Sequence, residues 1–198
     1  MSEAPGGVSS STAVVSGDVV DLLREQHARI RDLFAEVEAA DGEARRDSFR
    51  RLVRFLAVHE TAEELVVRPL SRRYVDAGDA VAADRVEEER IAKEKLAELE
   101  ELTTDHEDFL PKLAVVRTAV LQHARAEERY ELSKLRRADA TDELEAAARA
   151  LRAAESLAPT HPHPGVESTT ANVMTGPVLA LVDRVRDVVR DAPGRHPS

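Results

Sequence analysis

Apolar residues recur at steps of three or four along Val20, Leu23, Ile30, Phe34 and Val37, the spacing of one helix face turned to a core. Ser16 or Asp18 stands where that helix needs a cap, and Asp41-Gly42 is a stop signal. A second helix is predicted from about Glu43 to Tyr74, with Leu52, Leu56, Val66 and Leu70 on its apolar face. Pro69 lacks an N–H and predicts a kink or break near it. Asp76-Ala77-Gly78-Asp79 reads as a turn, and a third helix follows to about Leu102 on Ala82, Val86, Leu96 and Leu99. Thr103 to Asp108 is a polar turn. Pro111 falls in the first turn of a fourth helix, which shows Leu113, Val116, Val120 and Tyr130 on one side. A fifth, Ala-rich helix is predicted from Thr141 to Leu157.

The pattern divides the chain. Residues 1–16 read as a disordered arm, 17–138 as an all-α helical bundle, and 139–158 as an extra helix. Residues 159–198 open with a proline-rich stretch, and Pro177 then starts a short amphipathic helix with Val178, Leu181 and Val185 on one side.

The polar residues that interrupt these apolar faces carry the chemistry. His27 sits between Leu23 and Ile30. His59 and Glu63 sit between Leu56 and Val66, and His123 and Glu127 follow Val120. A His and a Glu four residues apart share a helix face, and two such pairs can present imidazoles and carboxylates to one point. An ionised carboxylate buried without compensation is costly, and a di- or trivalent cation is the simplest compensation. One His on an apolar face is more often a hydrogen-bonded core residue than a ligand. Three helices giving the same arrangement favour a metal site over buried polar networks. Glu128 is an alternative to Glu127, whose spacing repeats that of the first pair. On the third helix Glu89 and Lys93 have the order of a surface ion pair, yet Glu89 also follows Val86 on the inferred inner face. Lys93 is expected to pair with a nearby carboxylate or to extend outward. Tyr130 is placed to hydrogen-bond a ligand carboxylate or to pack. Glu60 and Glu64 read as surface groups or as partners of the ligands, and His106 as an exposed turn residue.

Composition narrows the choice. There is no Cys, so thiolate catalysis, disulfides and iron–sulfur clusters are excluded, and any metal must be held by N and O donors. The formal net charge of −10 argues against a general nucleic-acid binder. No signal peptide and no membrane-length apolar run is visible, so a cytoplasmic protein is expected.

These stretches resemble the hemerythrin-like proteins, cation-binding domains with a His-His-Glu signature. The likeness lies in Leu22-Leu23-Arg24-Glu25-Gln26-His27, in His59-Glu60-Thr61-Ala62-Glu63-Glu64 with Pro69-Leu70, and in His123-Ala124-Arg125-Ala126-Glu127-Glu128, over about residues 18–137. It implies an antiparallel up-down four-helix bundle around a non-haem di-iron centre, two ions with oxo or hydroxo and carboxylate bridges. His27, His59 and His123 would be terminal ligands, and Glu63 and Glu127 bridges. Where the family usually offers a His on the third helix, this chain has Glu89, so a set of three His and three Glu is expected. Manganese and zinc are alternative metals. The expected small molecules are O2, peroxide or NO, handled by redox turnover, catalase-, peroxidase- or oxidase-like, or by sensing, rather than by oxygen carriage. A sensor or interaction protein without turnover, acting through residues 177–190 on a protein partner or a second copy, is the other reading, and a metal-free helical adaptor a third.

Overall fold

The computed structural model describes residues 17–157, with side chains described as far as Arg152. The predicted terminal arm, the proline-rich stretch, the 177–190 helix, His161, His163 and His196 lie outside the described residues. Among the described residues the chain is helical and holds no strand.

Helix α1 (Val19–Ala39) starts at Asp18, whose carboxylate accepts the N–H groups of Val20 and Asp21 at 2.9 and 3.0 Å. It ends before Gly42, which takes a φ of +47° that glycine accepts without strain. Helix α2 (Gly42–Ala62) passes through a π-helical turn (Glu63–Val67) into α3 (Arg68–Tyr74). The Arg68 N–H reaches back five residues to the Glu63 carbonyl. The break expected from Pro69 thus takes the form of a widened turn just before it. Ala77 then adopts a left-handed conformation, and α4 (Gly78–Glu100) begins. A Cβ at Gly78 would lie 2.2 Å from the Ser71 carbonyl oxygen, so only glycine lets α4 start against α3. Helix α5 (Phe109–Glu127) also ends in a π-helical turn (Glu128–Leu132), followed by α6 (Ser133–Leu135) and α7 (Thr141–Leu157).

α1 packs on α2 and α7, and α4 packs on α3 and α5. Two apolar clusters result. One joins Ile30, Phe34, Phe49, Leu52, Leu99, Phe109 and Leu113, with the Phe49 and Phe109 rings edge to face at 5.1 Å. The other joins Val20, Leu23, Val66, Val67, Leu132, Leu135, Leu144 and Leu151. His27, Glu63 and Glu127 fall between them, so a belt of buried polar residues divides the core.

Several positions read from periodicity face elsewhere. Val86 is 47% exposed, and Arg85 takes its place on the buried face of α4 with Ala82, Glu89, Ala92 and Leu99. Tyr130 is 51% exposed and stacks under Arg129, so it does not face the polar belt. Leu70 is only half-buried, whereas Arg68 is buried. Leu70 follows the first π turn and Tyr130 lies within the second, where a regular helical repeat assigns the wrong face.

Candidate metal centre

Each histidine of the belt is held from behind. The Nδ1–H of His27 donates to Glu128 at 2.9 Å, that of His59 to the Gln26 side-chain carbonyl at 2.7 Å, and that of His123 to Glu88 at 3.0 Å. Glu88 is in turn paired with Arg85 at 2.9 Å. Partners on Nδ1 fix the ring orientation and leave Nε2 as the free lone pair, which is how metal-bound histidines are held. The three Nε2 atoms converge on carboxylates. Glu63 Oε1 lies 2.9 Å from His59 and 3.5 Å from His27, and Glu63 Oε2 lies 3.4 Å from His123. Glu127 Oε2 lies 3.3 Å from His27, and Glu89 Oε1 lies 4.0 Å from His123.

All six residues expected to hold a metal are therefore buried and drawn to one place: His27, His59, Glu63, Glu89, His123 and Glu127. His27, His59 and Glu63 form one group with donor atoms close enough for a single cation, and Glu63, Glu89 and His123 form a second. Among the buried atoms without a hydrogen-bond partner are His27 Nε2, Glu63 Oε1 and Glu127 Oε2. Both oxygens lie near His27 Nε2, at 3.5 and 3.3 Å, and a cation there would give these atoms a partner, although Glu127 belongs to neither group. The donor set thus fits an N,O-ligated transition metal.

Without a metal, protons take over part of the balance. Burial works against charging His27, but the facing carboxylates of Glu127 and Glu63 override it and lift its pKa to about 10. His123 is likewise opposed by burial and lifted to about 10 by Glu63 and Glu88. Burial would raise Glu63, yet His59, His123 and His27 hold it well below the usual carboxylate range. Burial, aided by the negative charge of Glu63, pushes Glu127 up to about 7.

Arg68 was not foreseen from the sequence. Its guanidinium is buried beneath the histidines and donates to Glu89 at 2.7 Å, Glu131 at 2.8 Å, Glu127 at 3.2 Å and Glu63 at 3.3 Å. Burial opposes its charge, but these four carboxylates raise its pKa above the ordinary arginine value. Ser71 donates a further hydrogen bond to Glu131. On a regular helix, five residues past Glu63 is about 140° round from it, so Arg68 reads as a surface residue until the π turn brings it in line. Glu131 was also missed, although it lies four residues after Glu127 on the same stripe, and Gln26 gave no signal beyond its place beside His27. Of the neighbouring acids, Glu128 turns to the back of His27 and Glu64 is exposed. Glu60 pairs with Lys93 at 3.2 Å. Lys93 is half-exposed and lies 3.8 Å from Glu89, so its ammonium stays at the rim. His106 is exposed in its turn.

The sequence matches the family described as the hemerythrin HHE cation binding domain over residues 18–135. The chain belongs to that family. The matched span holds every residue of the polar belt. Along 88% of its length and 88% of the relative's, the chain is 22% identical to an uncharacterised hemerythrin-like protein of Schizosaccharomyces pombe. It is also 24% identical to a Nostoc protein named DNA nickase, over 70% of this chain but 39% of that protein. No solved structure matches. As a member of a cation-binding family with His/Glu groups that can hold a metal, the chain is a candidate metal protein. No helix among the described residues is long and apolar enough to cross a membrane.

Proposed function

We propose that this hemerythrin-like chain is a non-haem di-iron protein that binds or processes O2, peroxide or NO. The observation that carries this reading is the common posture of His27, His59 and His123, each tied at Nδ1 and aimed with Nε2 at shared carboxylates. His27, His59, Glu63, Glu89, His123 and Glu127 would hold the two ions, with Glu63 and Glu127 shared between them. Iron bound there supplies one-electron redox chemistry and an open position for a small oxidant. The chain supplies the rest. Nδ1 partners orient the imidazoles, apolar residues keep bulk water out, and Glu127 can hold or release a proton near neutral pH. A small pocket lies against His59, Glu63, Glu89 and His123, and Ile30, Leu56, Ala92, Val120 and Ala124 complete its wall. Its size and apolar lining suit a diatomic molecule or peroxide better than an organic substrate.

Three carboxylates beside three imidazoles favour the oxidised metal, which supports turnover or sensing over oxygen carriage. We read residues 17–138 as an antiparallel up-down four-helix bundle, since short connections join α1 to α2 and α3 to α4. We place the protein in the cytoplasm. Manganese or zinc would satisfy the same donors. The nickase likeness adds no case for nucleic acid, because a net charge of −10 repels phosphates.

Elemental analysis of chain loaded anaerobically with Fe(II) is expected to give two equivalents, and the loaded protein to decompose peroxide. A reduced protein that takes up O2 and returns it under vacuum with full recovery of its spectrum would overturn the preference for turnover. Iron loading with neither peroxide nor O2 consumption would favour the sensor reading.

A further inference from the structure

The two groups of donors in the belt look alike in sequence but not in their relation to Arg68. Around His27 and His59 the facing oxygens are Glu63 Oε1 and Glu127 Oε2, neither of which touches the guanidinium. These two oxygens and His27 Nε2 are buried without a hydrogen-bond partner. Around His123 the position is reversed. The oxygens on that side are Glu63 Oε2 and Glu89 Oε1, with Glu127 Oε1 beyond them, and Arg68 donates to all three. Glu63 and Glu127 are each split, one oxygen open toward His27 and the other held by the guanidinium.

We infer that Arg68 makes the two cation positions unequal, so that the His27–His59 position fills first and the His123–Glu89 position fills only when the guanidinium yields its carboxylates. The inference rests on the metal reading above and goes beyond it by naming the residue that sets the order. Two effects act together. A cation at the second position must displace charge-assisted hydrogen bonds that are already made. It must also sit near a fixed positive charge in a buried setting, where screening is weak. Arg68 does not leave freely, because Glu131, itself bonded by Ser71, anchors the guanidinium from the far side. Occupancy of the second position is thus set by the chain and by the supply of metal.

The test is anaerobic titration of the metal-free full-length chain with Fe(II), followed by calorimetry and checked by iron content after dialysis. Wild type is expected to bind one ion tightly and a second about tenfold or more weakly. Arg68→Gln is expected to tighten the second phase by about tenfold or more while moving the first far less. An Arg68→Gln variant that keeps both ions through a dialysis in which wild type falls from two ions to one would be the strongest form of the same result. His123→Ala should delete the weak phase and keep the tight one. Equal affinities in wild type, an unchanged gap in Arg68→Gln, or loss of the tight phase in His123→Ala would overturn the inference and leave the metal reading intact. Where Arg68→Gln does not fold, Arg68→Lys decides, because it keeps the charge but loses the fork that grips three oxygens. It should tighten the second phase partially, and an unchanged gap there overturns the inference too. A wild type that binds no ion would overturn the metal reading, and the inference with it.

Discussion

The apolar end of the core around Phe34 and Phe109 and the polar belt around Glu63 are built from the same helices with opposite physics. At the apolar end, Ile30, Phe34, Leu52, Leu99, Phe109 and Leu113 are buried on regular helical spacing, and burial itself stabilises them. In the belt, four carboxylates, three imidazoles and one guanidinium are buried within a few ångströms, and removing them from water costs stability. The belt persists because its groups balance one another and because an apolar cluster closes it above and below. One region makes the fold stable, and the other uses that stability to hold donors ready for a cation.

The largest separation between the two should come from Phe109→Ala. Its ring is fully buried against Phe49, so the loss should be about 3–5 kcal/mol by chemical denaturation, while the folded variant still binds iron at wild-type stoichiometry. A loss of iron in parallel would show that the two regions are not independent. Glu128→Ala should do the converse. Removing the acceptor behind His27 is expected to weaken metal binding by about 10–100-fold in a competition with a chelator, with little change in the unfolding of the metal-free protein.

Acidity offers a third contrast, carried by His27, His123, Glu127 and Glu63 of the belt. His27 and His123 have folded-state pKa values raised to about 10, so their contribution is full below the ordinary imidazole value of 6.5 and is lost as pH rises through 10. Glu127, raised to about 7, acts in the same direction, because the folded form holds its proton longer than the unfolded chain. Glu63 is lowered and acts the other way, losing its contribution as pH falls below the carboxylate range. The melting temperature of the metal-free protein should therefore fall between pH 6.5 and 10 as the two histidines lose their protons, the Glu127 contribution being lost already by about pH 7. A flat profile over that window would show that protons do not stand in for the cation.

The cap of α1 tests a smaller effect far from both regions. Asp18→Ala should cost about 1 kcal/mol, because two N–H groups lose their acceptor, with iron binding unchanged. Smallest of all is Val86→Ser, expected within about 0.5 kcal/mol of wild type because the side chain is largely in solvent. A loss of several kcal/mol there would return Val86 to the inner face that its periodicity first suggested.

Sequence by itself determined the helices and most of the site. The span from Thr141 to Leu157, the turn at Gly78, and the His and Glu residues planted on apolar stripes follow from local rules that hold along any regular helix. They place five donors without knowledge of the partner helices, and they leave Glu89 open, because the Val86 that pointed it inward is itself exposed. What only the tertiary structure decided is what happens once the helical repeat slips. The widened turns at Glu63–Val67 and Glu128–Leu132 change which residues face inward, bringing Arg68 under the carboxylates and turning Tyr130 out to solvent. Which acceptor stands behind each imidazole was equally hidden, because Gln26, Glu88 and Glu128 find their histidines across helix interfaces. Residue spacing encodes contacts within one helix, whereas the pairing of one helix with another depends on how whole faces fit together.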